Sequence, residues 1–268
     1  MARQASSISS LVALNEEEEW PTEDSLAAHD AEGYAVINAL AHEKAAPIPS
    51  SHASPHCFAC DDGAFYWVKR SAQQGLGCEL ISGRLAALVG AGPGAVIVDV
   101  PATSLPNDGS ANHLLGLGVG FSDQPGTINT KECQQLTGNP IDAATVDSAR
   151  HALVAVFYSW IGVGDAQALI DLSTGRLYGI DYGDSLPDPH AITPPVQSAI
   201  AGMPGGSHSQ ADLDSAIATV EAVTNADLLQ AVARMPTAPD WQADSQTRCQ
   251  VARWLANRRD SLRSALIP

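Results

Sequence analysis

The sequence is poor in basic residues and rich in acidic ones. It has 14 Lys and Arg residues against 30 Asp and Glu residues, and its formal net charge is -16. This balance argues against a nucleic-acid-binding surface, because phosphate recognition requires clustered Lys and Arg. We therefore expect no nucleic-acid partner. The basic residues near the C-terminus, in RCQVARWLANRRDSLR, are more typical of the solvated face of a last helix.

The sequence also lacks a long apolar run and an even set of cysteines. No apolar stretch reaches the length that spans a bilayer. The N-terminal MARQASSISSLVALNEEEEW has no convincing apolar segment or cleavage site of a secretion signal. The five cysteines are an odd number, which fits reduced thiols. We expect a cytoplasmic protein that does not bind membranes.

What the sequence does contain is enough apolar material for a sizeable core. Its 268 residues are 45% hydrophobic, which suffices for one large domain or for two lobes that share a cleft. Residues 1–30 are polar and acidic, so we expect them to form an extended or mobile arm that enters a helix near Asp30.

Strand patterns dominate the part of the chain that follows this arm. The segment CFACDDGAFYWVKR predicts two strands around an Asp61-Asp62-Gly63 turn. The segment GLGCELISGRLAALVG predicts a helix, and GAVIVDVP predicts a buried strand. Residues 102–140, which include GLGVGFSD, are rich in turn-forming residues and predict loops. The predicted helix has four apolar residues on one face: Leu80, Ile81, Leu85 and Leu88.

Helical patterns dominate the rest of the chain. IDAATVDSARHALVAVFYSWIG predicts a largely buried helix, and a hairpin with a Ser173-Thr174-Gly175 turn follows it. Two short helices and one long helix are then predicted. This order is typical of an α+β fold with two lobes. We expect a small β-rich lobe at residues 31–105 and a mainly helical lobe at residues 106–268.

Two acidic residues bracket the hairpin of the second half. Asp165 precedes its first strand and Asp181 follows its second strand, although strand packing needs neither. One such carboxylate can orient or deprotonate a hydroxyl, and the other can hold Mg²⁺ on a phosphate. Phosphoryl transfer also needs a Lys on the phosphates that a helix Glu holds in place. Lys69, which ends a predicted strand, and Glu79, near the start of a predicted helix, are candidates for this pair.

Four segments, in this order, resemble the HipA-like kinases, bacterial relatives of the protein kinases and phosphoinositide lipid kinases. They are YWVKR, GLGCELISGRLAALVG followed by AVIVDVP, WIGVGDAQ, and GRLYGIDYGDS. The resemblance spans roughly residues 35–260. It implies a bilobal protein-kinase-like fold that binds ATP and Mg²⁺ between its lobes.

The resemblance also implies roles for individual residues. Lys69 corresponds to the lysine that contacts the nucleotide phosphates, and Glu79 corresponds to its ion-pair partner. Asp165 corresponds to the catalytic aspartate, and Asp181 corresponds to the metal-binding aspartate, here in an Asp-Tyr-Gly turn. Asp184 either assists the metal or accepts backbone hydrogen bonds in that turn.

The sequence departs from the family pattern in the loop after Asp165. The family usually has a basic residue or His next, where this chain has Ala166, and a metal-binding Asn five residues on, where this chain has Ile170. We expect Gln167 to take the place of that Asn through its amide oxygen, with Asp171 as a weaker alternative. The Gly-rich phosphate loop is also poorly matched, because PIPSSHASPHCFACDDG has few glycines.

These observations predict an ATP-dependent phosphotransferase whose acceptor is a hydroxyl group. The resemblance suggests a protein Ser or Thr first, with a small molecule or a lipid headgroup as alternatives. A competing interpretation is a pseudokinase that binds nucleotide or protein without catalysis. A third is a zinc site in SHASPHCFAC, although adjacent His56 and Cys57 are awkward ligands for one tetrahedral ion. The residues of this possible zinc group are His52, His56, Cys57 and Cys60.

Overall fold

The first part of the chain forms a closed β-barrel. The computed structural model describes residues 20–45, 54–71, 75–186, 200, 202 and 208–267. The barrel strands follow the order β1-β2-β3-β5-β4, and a parallel pairing of β1 with β4 closes it. The strands are β1 (Val36–Ala45), β2 (His56–Cys60), β3 (Phe65–Lys69), β4 (Ala95–Val100) and β5 (Gly116–Ser122).

The barrel interior is filled by alternate side chains of its strands, as a small barrel requires. Phe58 of β2, Val68 of β3 and Val98 of β4 are all 0% exposed. The antiparallel pairing of β2 with β3 around residues 61–64 confirms the predicted hairpin. Because side chains alternate along a strand, the interior position of Val68 directs Lys69 to the outside of the barrel.

β5 corrects the expectation of a loop at GLGVGFSD. This segment pairs with both β3 and β4, although it lies beyond residue 105. A Cβ atom at Gly118 would lie 2.6 Å from the Lys69 carbonyl oxygen, and one at Gly120 would lie 2.5 Å from a Val98 methyl group. The glycines therefore allow close packing within the barrel. Glycine is uncommon in strands, which is why the composition indicated a loop.

Helix α2 (Leu76–Val89) joins the barrel to the rest of the molecule. Leu80, Ile81 and Leu85 are buried in the large core, as their spacing predicted. Leu88 was also expected on this face, but in the last turn of the helix it is 51% exposed. The helix ends at Gly90 in the left-handed conformation, which glycine adopts without steric cost.

Three sets of contacts hold α2 against the helical part of the molecule. At its start, a Cβ atom at Gly77 would lie 2.7 Å from the Trp241 carbonyl oxygen. In its middle, the hydroxyls of Ser82 and Ser185 are 2.8 Å apart. Further along, the Arg84 guanidinium donates hydrogen bonds to the backbone carbonyls of Ala231, Ala233 and Arg234.

The second part of the chain is mainly helical, with one small antiparallel sheet. The sheet has the order β6-β7-β8, and its β7–β8 hairpin confirms the predicted strand pair. Among the described residues, no helix is both long enough and apolar enough to cross a bilayer. The elements are β6 (Thr127–Asn129), α3 (Thr130–Thr137), α4 (Ser148–Ile161), β7 (Gln167–Asp171), β8 (Arg176–Ile180), α5 (Gln210–Glu221), α6 (Asn225–Val232) and α7 (Ser245–Leu266).

The core of this part forms around α4. Phe157 and Trp160 are 0% exposed, and the Trp160 indole N–H donates to the Leu255 carbonyl of α7 at 2.9 Å. The Tyr158 hydroxyl donates to the Ile180 carbonyl at 3.1 Å and accepts from the Ile180 N–H at 2.8 Å. The buried helix α4 therefore fixes the end of β8, and the turn that begins at Asp181 follows directly.

The last residues of the predicted N-terminal arm form a packed helix, α1 (Glu23–Asp30). Thr22 caps its first turn by accepting from the Ser25 N–H at 3.0 Å, and Leu26 is 0% exposed. Asp30 accepts two hydrogen bonds from the Arg248 guanidinium of α7, at 2.9 and 2.6 Å. The expectation of an extended arm is wrong for this stretch, and the helix expected to begin near Asp30 ends there instead. Residues 1–19 lie outside the described residues.

Candidate active site

The Lys69 amine lies where the barrel, α2 and the β8 turn meet. It donates to the Glu79 Oε1 at 2.9 Å and contacts the Asp181 Oδ1 even more closely. Glu79 is 1% exposed and the Lys69 side chain is 17% exposed. The structure therefore joins a lysine from the first part of the chain to carboxylates from α2 and from the turn after β8.

Glu79 links this lysine to the Asp181 turn. Its Oε1 accepts from Lys69, and its Oε2 accepts from the Tyr182 N–H at 3.1 Å. Burial raises the pKa of Glu79, although the Lys69 charge opposes that shift. Burial alone would lower the pKa of Lys69, but the charges of Glu79 and Asp181 outweigh it and raise that pKa. Lys69 is therefore a cation at neutral pH.

Asp181 adopts a backbone conformation that is unusual for a residue with a side chain. Its φ is 62°, in the left-handed region, where Asp is tolerated better than most residues. Burial would raise the pKa of Asp181, but Lys69 first and Lys131 second hold it below its usual value. The buried Tyr182 that follows packs against Phe157 and Tyr158. The turn thus presents an ionised carboxylate to the site.

Gln167, the first residue of β7, lies between the two aspartates. Its Nε2 donates to the Asp181 Oδ2 at 2.7 Å and lies 3.4 Å from the Asp165 Oδ2. Its Oε1 accepts from the Asn129 amide at 3.4 Å. Rotating the Gln167 amide so that its nitrogen and oxygen exchange positions would point the oxygen toward the Asp165 and Asp181 carboxylates. The Asp181 carboxylate and an amide oxygen, with phosphates completing the shell, fit Mg²⁺.

The two other residues considered for this role lie elsewhere. Ile170 is 0% exposed in the middle strand of the small sheet, where it pairs with Ile128 and Leu177. The Asp171 carboxylate accepts from the Ser173 N–H at 2.8 Å and so caps the hairpin turn. Of the three positions considered from the sequence, only Gln167 lies beside both aspartates.

Asp165 lies at the open edge of the site, and its carboxylate is 58% exposed. Its backbone N–H donates to the Asp184 Oδ2 at 2.7 Å. A Cβ atom at Gly164 would lie 2.8 Å from that same oxygen, so glycine allows the close approach. Asp184 thus accepts a backbone hydrogen bond from the Asp165 loop rather than within its own turn, and this bond holds the loop that carries Asp165.

Lys131, in the first turn of α3, is a site residue that the sequence analysis missed. Its amine donates to the Asp165 Oδ2 at 2.7 Å. Asn129 caps the first turn of α3, because its side chain accepts hydrogen bonds from the N–H groups of Lys131 and Glu132 at 2.9 and 3.3 Å. The Asn-Thr-Lys-Glu sequence is a possible helix start, but it lies within residues 102–140, whose composition indicated loops.

The residues of the suggested zinc group do not form a metal site in the part of the chain that is described. No group of three His, Cys, Asp or Glu side chains there is placed to hold a metal ion, and His52 lies outside those residues. Burial raises the pKa of Cys57 to about 11 and that of Cys60 to about 12, so both are protonated thiols. They stand on opposite faces of β2 because three positions separate them.

Comparison with known families identifies this arrangement. A family model for HipA-like kinases matches residues 45–186, more than half of the chain, and includes Lys69, Glu79, Asp165 and Asp181. The chain belongs to the HipA-like kinase family. This match confirms the resemblance found in the sequence. A comparison with curated proteins finds no match.

Comparison with solved structures finds a kinase that shares the fold of this chain. The proinflammatory kinase CtkA of Helicobacter pylori has a TM-score of 0.50 at 9% identity, covering 83% of this chain and 92% of that chain. Fam20 of hydra, solved with sugar, has a TM-score of 0.45 at 10% identity, covering 87% and 85%. The Golgi casein kinase with bound Mn/ADP has a TM-score of 0.44 at 8% identity, covering 88% and 74%. At such identities CtkA supports the mixed α and β kinase fold alone, and the other two scores are too low to support an argument.

Proposed function

We propose that this protein is an ATP-dependent phosphotransferase that moves the γ-phosphoryl group of ATP to a hydroxyl group. The observation that carries the proposal is the Lys69 amine, which lies between Glu79 and Asp181. A strand lysine, a helix glutamate and a turn aspartate in mutual contact are the components that hold a nucleotide triphosphate and its metal in kinases. The family membership of the chain supports the same reaction class.

The proposal assigns the barrel and α2 to a nucleotide-binding lobe and the later elements to a second, mainly helical lobe. Pairing of β5 with β3 favours a boundary after Ser122 rather than after residue 105. ATP would lie between these lobes, with Lys69 on its phosphates and Glu79 holding the lysine. Mg²⁺, held by Asp181 and Gln167, would neutralise phosphate charge when it is bound. All five cysteines lie in the described residues and form no disulfide bond there, which supports a reducing compartment such as the cytoplasm.

Asp165 is proposed to receive the proton of the acceptor hydroxyl. The hydroxyl oxygen forms a bond to the γ-phosphorus, and the bond from that phosphorus to the β–γ bridging oxygen breaks. The electron pair of the broken bond leaves with ADP. Because the Asp165 side chain is 58% exposed, an acceptor as large as a protein Ser or Thr can reach it. A small molecule or a lipid headgroup is a further acceptor of the same chemistry.

A nucleotide-binding experiment followed by a transfer experiment tests this function. We expect ATP to raise the thermal unfolding temperature, more so with Mg²⁺, and mass spectrometry to detect phosphate on the protein or on an added acceptor. Asp165→Asn and Asp181→Asn should lower transfer by about 1,000-fold. Lys44→Met is the control, since the contacts of Lys44 are a 3.7 Å surface ion pair with Asp123 and the Trp67 ring. Absence of any ATP effect in the unchanged protein would contradict the proposal.

The residue at position 170 favours a second candidate, a nucleotide-binding pseudokinase. Ile170 occupies the position of the usual Asn, and its hydrocarbon side chain has no atom that can bind a second metal ion. This candidate predicts metal-dependent stabilisation by ATP without phosphate transfer to any acceptor. Stabilisation together with transfer, lost in Asp165→Asn, would exclude it.

A further inference from the structure

We propose that Lys131 is a catalytic residue that contacts the γ-phosphoryl group during transfer. This inference rests on the proposed phosphotransferase function and assigns one more residue to it. Lys131 lies in the first turn of α3, and its amine is 2.7 Å from the Asp165 Oδ2. The neighbouring position in the Asp165 loop carries Ala166, which is 2% exposed and has no charge to offer.

The geometry of the reaction places the phosphoryl group close to this amine. The acceptor hydroxyl lies between the Asp165 carboxylate and the γ-phosphorus, in line with the leaving oxygen. A cation within hydrogen-bonding distance of Asp165 is therefore within a few ångströms of the transferring oxygens. Lys has three N–H donors, so the hydrogen bond to Asp165 leaves donors for a phosphoryl oxygen. The negative charge of the transition state spreads over those oxygens, where a fixed cation is most effective.

Helix stability does not explain why a lysine occupies this position. The N-terminal turn of a helix carries a positive partial charge, which disfavours a cation there. The pairing with Asp165 is also partly solvated, since the Lys131 side chain is 37% exposed. Exposed ion pairs contribute little to stability. A function at the site accounts for the position better than folding does.

The distribution of lysines in the chain supports the same inference. The chain has only three lysines: Lys44, Lys69 and Lys131. Lys69 contacts Asp181, Lys131 contacts Asp165, and the charge of Lys131 also lowers the pKa of Asp181. Lys44 lies on the outside of the barrel over the Trp67 ring. Two of the three lysines therefore face the two aspartates that the proposed reaction uses.

Nucleotides with and without a γ-phosphate separate this role from a structural one. We would measure Kd by calorimetry for ADP and for the non-hydrolysable β,γ-imido analogue of ATP, each with Mg²⁺. Lys131→Met should weaken binding of the analogue by about 10-fold, since one charged contact is lost, and leave ADP binding within about 2-fold. Lys131→Arg, which keeps the charge, should restore most of the difference, and Lys44→Met should change neither value.

Transfer kinetics give the second measurement. Lys131→Met should lower kcat by about 100-fold, in line with the loss of a group that acts on the transition state, with KM for the acceptor unchanged. Equal effects on ADP and on the analogue, or no effect on either, would overturn the inference. An unchanged kcat in Lys131→Met would do the same. If the unchanged protein binds neither nucleotide, the proposed function itself fails, and this inference fails with it. Circular dichroism of each variant verifies that it is folded.

Discussion

The two sides of the candidate site differ in their exposure to water. On the side proposed to bind nucleotide, Glu79 is 1% exposed and Lys69 is 17% exposed. On the side proposed to bind the acceptor, Lys131 is 37% exposed and Asp165 is 58% exposed. Each side contains a lysine paired with an acid, so the chemical groups are similar and the surroundings differ.

This difference in burial suggests a difference in purpose. Charges interact more strongly in a buried environment than in water, so the pairing of Lys69 with Glu79 fixes its geometry firmly. The exposed pair is held more weakly and can exchange partners at low cost. A fixed side suits a ligand that is the same in every turnover, and an adaptable side suits an incoming acceptor. The following predictions test this contrast.

Among the variants that test this contrast, the largest effect is expected from Glu79→Gln on the buried side. Gln keeps the size of Glu79 and one acceptor for the Tyr182 N–H, but it removes the negative charge that holds Lys69. We expect the Kd for ATP to rise by about 100-fold, roughly 2.7 kcal/mol. Calorimetry with ATP and with ADP measures this change. Because Glu79 acts through a lysine on the nucleotide side, the Kd of ATP and that of ADP should both rise. A rise for ATP alone would contradict the assignment of Glu79 to the nucleotide side.

An intermediate effect is expected from Asp30→Asn. Asp30 lies on neither side of the site. The change removes one charged acceptor from the buried Arg248, and Asn can still accept one of the hydrogen bonds. We expect the free energy of unfolding to fall by about 2 kcal/mol, less than for a fully buried pair because Asp30 is 28% exposed. Denaturant unfolding measures it.

The pH dependence of this contribution follows from the direction of the Asp30 pKa. Arg248 and the Arg234 N–H outweigh the effect of burial and lower that pKa below 3.8. The stabilisation is therefore complete above pH about 4 and is lost as the pH falls through the folded-state pKa. Asp30→Asn should remove this pH-dependent contribution to the free energy of unfolding and leave nucleotide affinity unchanged. A change in affinity would mean that α1 affects the site.

The smallest effect is expected from Asp184→Asn on the exposed side. Asn keeps the shape of Asp184, but its neutral oxygen accepts the Asp165 N–H more weakly than a carboxylate does. We expect kcat to fall by about 10-fold, roughly 1.4 kcal/mol, because the Asp165 loop is held less firmly. Steady-state kinetics measure it, and ADP affinity is the control. Weaker ADP binding would place Asp184 on the nucleotide side.

The buried side of the site was easier to predict from the sequence than the exposed side. Lys69 ends an apolar strand and Glu79 begins an apolar helix, so periodicity located both elements, and the structure joins the two side chains. Lys131 lies instead in a stretch whose Gly, Asn and Pro content resembles a loop. Its pairing with Asp165 joins residues 34 positions apart, and only the folded chain brings them together.

Two further differences between the sequence predictions and the structure have physical explanations of the same kind. In β5, Gly118 and Gly120 allow close packing inside the barrel, which local propensity cannot reveal. In α1, acidic composition suggested disorder, but Thr22 caps the helix and Leu26 packs into the core. The bracketing of the β7–β8 hairpin by Asp165 and Asp181 could be predicted, because it depends only on the order of residues along the chain.

The attachment of α2 at three points has a consequence for control of the proposed phosphotransferase. In kinases generally, movement of the helix that carries the glutamate can switch activity on and off. Here Arg84 joins α2 to three carbonyls of the helical part, and Ser82 and Gly77 hold it at two further places. Displacing Glu79 would require all of these contacts to break together. Under the proposed function, the lysine–glutamate pair is in place before ATP binds, so access of ATP or of the acceptor would be the step open to regulation.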